Sequence, residues 1–237
     1  MRTMSMNTKN IIHTHTAQLS AKKNQVKTSQ VAIKHKRLLT SGEIDMCRRI
    51  FKDSIDYSKV LIKRSSTWSV PGLTGNTFSP MGTINLTSSL FDQFPDFSNC
   101  QNDYSAEHHF IHEMTHIWQY QLGGGVRHIG QAAMLFRQGG YICSSISPDY
   151  GDDYTAYYTD LTGKHVDRKF HEFNLEQQGR IIELWHDAVY MQHKSPKRRH
   201  HIQSRKLLGY VERTLREFLL NPSDKKHLPQ SQIVDKP

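Results

Sequence analysis

Cysteine is scarce in this chain. Cys47, Cys100 and Cys143 are three among 237 residues, widely spaced and odd in number. They make neither a disulfide framework nor a Cys-x-x-Cys zinc site, and reduced thiols are the plain expectation. Long apolar runs are absent as well. No stretch approaches the roughly 20 residues that span a bilayer, so no membrane span is expected. The first twenty residues, MRTMSMNTKNIIHTHTAQLS, lack the apolar centre of a secretory signal. The chain therefore reads as made in the cytoplasm and not exported by a Sec signal. Hydrophobic residues make up 36%, low for a chain packed from end to end, so part of the length should lie outside the core.

Acid is missing from two blocks. No Asp or Glu precedes Glu43, and none lies between Asp187 and Glu212. Lys194, Lys197, Arg198, Arg199, Arg205 and Lys206 fall in the second block, within a net charge of +9 and a pI near 9.4. That balance permits attraction to nucleic acid, anionic lipid or an acidic cell envelope without choosing among them. Few aromatics are interleaved with these cations, so a base-stacking platform is not suggested and nucleic acid is not an expected partner. The run reads as a solvated linker.

What is present suggests one domain with tails. Residues 1–36 are basic, rich in Ser, Thr, Asn and Lys, and without a sustained period, as a disordered tail would be. A domain over 37–220 follows, with its core at 37–190 and a C-terminal helix at about 203–220, then a flexible tail at 221–237. Thr40-x-x-Glu43 is a capping-box signature ahead of Ile44, Cys47, Ile50 and Phe51, predicting a short amphipathic helix to about Asp53. Val60-Leu61-Ile62 reads as a short strand and 64–82 as a punctuated loop. Gly82–Thr87 alternates apolar with polar, as a half-buried strand does. At a sheet edge it could add an extended peptide through backbone hydrogen bonds; equally, it could be an ordinary structural strand. Gln131–Phe136 suggests a brief helical turn. Phe173–Trp185 carries a strong helical pattern with Leu175, Ile181, Ile182 and Trp185 on its apolar side, and Leu207–Leu219 repeats that spacing up to Asn221-Pro222.

The stretch HHFIHEMTHIWQYQLGGG, 108–125, carries the chemistry. His112 and His116 are four residues apart in a helical pattern, so both imidazoles share a face and can reach one ion. Zinc accepts two such nitrogens and keeps room for a third ligand and water. Glu113, next to the first histidine, can reach that water, which suits a general base. Fifteen histidines raise the chance of an accidental match. Against that, Ile111, Met114 and Ile117 or Trp118 keep helical spacing, Asp103 or Ser105 can cap the start, and Gly123-Gly124-Gly125 can stop the end.

A catalytic zinc needs a third protein ligand. The extended metzincin motif would place glycine and histidine where Gln119 and Leu122 stand, which excludes that class. His128, Asp152, Asp153, His165, His171, Glu172, Glu176 and Glu183 are the remaining candidates. Glu176 and Glu183 lie on a helix, seven residues apart and nearly on one face, and spacing does not separate them; Glu183 could instead support a ligating histidine from behind. Tyr150, Tyr154, Tyr157 and Tyr158 crowd one stretch, and a tyrosine near the metal could hydrogen-bond an oxyanion.

Across roughly residues 37–190 the sequence resembles the zinc metallopeptidase domain of type VI secretion spike (VgrG) proteins and related stand-alone effectors. RLLTSGEIDMCRRIF, IDYSKVLI, SPMGTINL, FIHEMTHIWQYQLG and FNLEQQGRIIELW carry the resemblance, and HEMTHxWQ with FNxEQQ is far more specific than H-E-x-x-H alone. It implies an α+β, zincin-like fold, with a small mixed or antiparallel sheet packed on the HExxH helix plus a second ligand-bearing helix. It implies Zn2+ held by His112, His116 and Glu176 in a gluzincin-like manner, with Glu113 catalytic. It further implies an antibacterial effector cleaving peptide bonds, of a protein or a peptidoglycan stem peptide, in a target cell's periplasm. A secretion carrier and a cognate immunity protein are the implied partners. The family often has an acid soon after its EQQ core, where Leu184 and Trp185 stand here; Glu183 and Asp187 are the nearby substitutes. Two other classes fit the residues: a non-catalytic zinc-stabilised binding module with a basic surface, and an intracellular processing protease.

Overall fold

A computed structural model describes residues 35–65, 82–100, 104–138, 155–194, 196–198 and 200–230, all within the unit Lys34–Pro237. Among the described residues the fold is mixed α+β, mostly helical, with one small sheet. Strand β1, Lys36–Leu38, runs antiparallel to β2, Leu61–Ser65, and β2 runs parallel to β3, Thr83–Thr87, with Ile62 opposite Ile84. β3 turns Ile84 and Leu86 into the core and forms an edge of the three-stranded sheet, in keeping with the period-two pattern.

Between β1 and β2 lies helix α1, Ser41–Phe51. Its capping box forms: the Glu43 amide donates to Thr40 Oγ1 at 3.1 Å and the Thr40 amide to Glu43 Oε2 at 2.8 Å. Such a cap stabilises a helix by about 0.5–2 kcal/mol. The Glu43 carboxylate is fully buried yet satisfied, since Arg37 grips both its oxygens and the Phe97 amide donates to it. After β3 come α2, Ser88–Gln93, and α3, Tyr104–Gln119.

Helix α3 is the central element. Ile111, Met114, Ile117 and Trp118 are buried as the spacing requires, and Trp118 packs against Phe51, Phe170 and Phe218. The polar side is buried too: Glu107, His108, His112, Glu113, His116 and Gln119 all lie inside. A helix buried all round needs a partner for every polar group. That partner is α5, Leu175–Tyr190, itself buried from Leu175 to Ala188 and capped by the Asn174 side chain. The pairings 108 with 187, 112 with 183, 116 with 176 and 119 with 175 descend along α5 as they ascend along α3. The two helices are therefore antiparallel.

One expectation holds and two change. The helical run from Tyr104 stops at the glycines, as expected: Gly123, at φ 152°, is non-helical, so the wide turn at Tyr120–Gly124 is a kink, and Gly125, at φ 40°, opens a new helix, α4, Gly125–Arg137. The brief turn expected near Gln131 is thus part of a 13-residue helix. The glycines supply a change of direction that side-chain-bearing residues resist. Residues 221–230, expected within a flexible tail, are packed after helix α6, His201–Leu220. Their carbonyls at Pro222, His227 and Pro229 accept from Trp118, Gln178 and Gln131, and the Gln230 amide donates to the His171 carbonyl. Lys36 already belongs to β1, while residues 1–34 and 231–237 lie outside the described residues. The loop expected at 64–82 falls largely outside them as well.

Candidate metal centre

Helices α3 and α5 bring His112, His116 and Glu176 together, all buried. His112 Nε2 lies 2.9 Å from Glu176 Oε2 and 3.1 Å from His116 Nε2; His116 Nε2 lies 3.2 Å from the same carboxylate oxygen. A tetrahedral ion with bonds of about 2.0–2.1 Å spaces its ligand atoms about 3.3–3.4 Å apart. The donors would spread by only a few tenths of an ångström to accept one. Two imidazole nitrogens and one carboxylate oxygen are a donor set suited to zinc, so the residues fit that ion.

The far side of each ring is held. His112 Nδ1 is 3.4 Å from Glu183 Oε1, and His116 Nδ1 is 2.9 Å from Gln119 Oε1. Both partners accept, which leaves the Nε2 lone pairs facing the common point. Gly179 makes room for this: a Cβ there would stand 2.6 Å from His112 Cε1. Only a glycine lets α5 approach the ring this closely. Burial opposes charge on His112, but Glu183 and Glu176 beside it outweigh that and hold its value well above 6.5. His116 is likewise raised, with burial outweighed by Glu176. Burial pushes Glu176 and Glu183 up, but the facing histidines dominate and keep both carboxyls below the usual range.

Glu113 follows His112 on α3 and is buried, with one oxygen 3.8 Å from His109 Nε2. Tyr157 sets its ring edge-on to His112, centroids 5.3 Å apart. Among the other candidates, His165 accepts the Asp160 amide at 2.9 Å and packs between Tyr158 and Phe173. Glu172 accepts the Lys169 amide at 2.6 Å, and the His171 carbonyl accepts from Gln230. Glu183 stands behind His112 and not on the common point. Asp152, Asp153, Tyr150, Tyr154 and the His128 side chain lie outside the described residues.

With this geometry established, comparison adds a relation. The chain is similar to VgrG2b. Over 148 residues, 62% of this chain, it is 31% identical to the type VI secretion system spike protein VgrG2b of Pseudomonas aeruginosa. The chain spans only 12% of that protein's length. A solved structure of the effector domain of Pseudomonas aeruginosa VgrG2b is 27% identical, with a TM-score of 0.49 over 74% of this chain and 83% of that one. No protein-family model matches.

Beside the His112, His116 and Glu176 cluster lies a second polar layer that spacing alone did not reveal. Asp187 accepts from His108 at 2.8 Å and from Arg198 at 2.6 and 3.0 Å, and also from Ser204. Glu107 accepts from His186 at 2.9 Å and from Lys194. His200 contacts Arg180, which reaches Glu183 at 3.3 Å. Arg198 and His200 are buried, so this part of the acid-free block is no solvated linker. It brings positive charge to acids buried on α3 and α5. A signal was available: His108, His112 and His116 recur every four residues, opposite Glu176, Glu183 and Asp187 at helical intervals.

Proposed function

We propose that the chain is a zinc-dependent metallopeptidase of zincin-like architecture, and that it acts as a type VI secretion effector. The observation that carries the first part is the triangle of His112 Nε2, His116 Nε2 and Glu176 Oε2, with sides of 2.9 to 3.2 Å and each ring backed by an acceptor. Bound zinc supplies a Lewis acid that acidifies a water and polarises a carbonyl. His112, His116 and Glu176 would hold the ion; Glu113, on the next position of the same turn, would take the proton of the attacking water and return it to the leaving amine. Tyr157, whose ring lies beside that of His112, would donate to the developing oxyanion. β3 offers an edge along which an extended peptide could align by backbone hydrogen bonds.

Similarity to VgrG2b supports the effector reading. The proposed substrate is a peptide bond in a protein or peptidoglycan stem, in a target cell's periplasm, with a spike protein as carrier and an immunity protein as antagonist. Among the described residues no helix is long and apolar enough to cross a membrane. The test pairs two measurements. Glu113→Gln should retain one zinc per chain while losing hydrolysis of a peptide library; full activity in that variant refutes the mechanism. Expression in a Gram-negative host should be harmful only with an added export signal, and only when Glu113 is intact.

A further inference from the structure

We infer that Gln119 and Gln178 form an amide relay that positions His116, anchored on three backbone carbonyls, one of them in the C-terminal segment. This rests on the metal-centre reading above. At the far end of the relay nothing is adjustable. Gln178 Nε2 lies 2.8 Å from the Phe170 carbonyl and 2.9 Å from the His227 carbonyl. Carbonyl oxygens only accept, so the Gln178 NH2 must face them and its Oε1 must face the other way. That oxygen lies 3.0 Å from Gln119 Nε2, which also lies 3.1 Å from the Leu175 carbonyl. The Gln119 NH2 is therefore directed at two acceptors, and its Oε1 is left for His116 Nδ1 at 2.9 Å. An oxygen there accepts, so Nδ1 carries the hydrogen and the Nε2 lone pair points to Glu176 and His112.

Every amide hydrogen and oxygen in this chain has a partner, and both glutamines are buried, at 1% and 0% exposure. A flip of either amide would set hydrogens against hydrogens and oxygens against oxygens in a buried site. The two ligand histidines are thus held by different means: His112 by the charged Glu183, His116 by a neutral amide. The second device leaves the net charge at the centre unchanged while fixing ring orientation. It also makes the segment around His227 a support of the candidate metal site, because the His227 carbonyl is one of its three anchors.

The test is zinc affinity of the whole chain by chelator competition, in the parent, Gln119→Leu and Gln119→Glu. Gln119→Leu removes the acceptor at constant bulk and should weaken zinc by 10- to 100-fold, in line with loss of an outer-shell partner. Gln119→Glu restores an oxygen beside Nδ1 and should recover most of the affinity, although it loses the donated bonds to Gln178 and Leu175. A purely structural role would instead lower the stability of both variants and leave zinc affinity alike. Gln119→Leu binding zinc within twofold of the parent overturns the relay but leaves the metal centre standing. A parent that takes no zinc overturns both. Should Gln119→Leu not fold, long-range 1H–15N spectra of the zinc-loaded parent decide: hydrogen on His116 Nδ1 supports the relay, and a bare Nδ1 refutes it.

Discussion

Gly179→Ala sets two well-characterised effects against each other at one atom. A mid-helix glycine replaced by alanine ordinarily gains about 0.5–1 kcal/mol. At this position the added Cβ would stand 2.6 Å from His112 Cε1, 2.7 Å from Nδ1 and 3.0 Å from Nε2. Carbon contacts settle at about 3.5–4.0 Å, so the ring or the helix must retreat by about 1 Å. His112 has little room, with the His116 ring at 4.8 Å, Tyr157 at 5.3 Å and Glu183 at 3.4 Å. Overpacking of this kind costs about 1–3 kcal/mol, which exceeds the helix-propensity gain. The net expectation is a loss of up to about 2 kcal/mol without metal. Zinc suffers more, because its bond lengths tolerate displacement of only about 0.2 Å. Gly209→Ala on α6 is the control, since a Cβ there meets nothing within 4 Å. It should gain the full 0.5–1 kcal/mol, raising Tm by roughly 1–4 °C in a chain of this size. Thermal unfolding with chelator and with zinc, together with competition titration, reads both. If Gly179→Ala stabilises as Gly209→Ala does and binds zinc like the parent, the close approach of α5 to His112 is wrong.

Acid–base linkage gives a further expectation for the metal-free chain. The raised values of His112 and His116 contribute stability that is fully present below about 6.5 and lost as pH rises through the folded-state values; the lowered values of Glu176 and Glu183 contribute stability present above about 4.5 and lost as pH falls. Chelated protein should therefore be most stable between these limits, while stabilisation by zinc grows toward higher pH as the histidines lose their protons; denaturant midpoints from pH 4 to 9 would show otherwise if the triangle were not formed. Asp187→Asn leaves Arg198 buried without its carboxylate and should cost about 3–5 kcal/mol, measurable by denaturant unfolding, whereas a change under 1 kcal/mol would contradict the buried network.

Much of the site was legible because one helix carries it. Residues 112, 113 and 116 follow from helical spacing alone, and the Thr40–Glu43 box formed where its residues stand. Spacing could not choose between Glu176 and Glu183, because both lie on the same face of α5. The choice depends on how far along α3 each meets its partner, which is a property of helix register and not of either helix alone. His116 meets residue 176, and one turn back His112 meets both 176 and 183. With the helices antiparallel, the acid nearer the start of α5 faces both rings, and the later one can reach only the back of the first.

The same logic explains why the basic block misled. A run without acids reads as a solvated segment only if its counter-charges are sought nearby in sequence. Here they lie on α3 and α5: Glu107 meets Lys194 across 87 positions, and Asp187 meets Arg198 across 11. A helix pair that buries its polar faces around the His112, His116 and Glu176 cluster also buries acids beyond it, and each needs a cation or donor at hydrogen-bond distance. The segment between α5 and α6 supplies them, and that requirement accounts for Lys194, Arg198 and His200 without invoking any anionic partner. Each such pair removes one positive and one negative charge, so the formal +9 is unchanged and lies on other residues; a charge-driven binding module still leaves Glu113, buried beside the ligand triangle, without a purpose, whereas the proposed hydrolysis uses it.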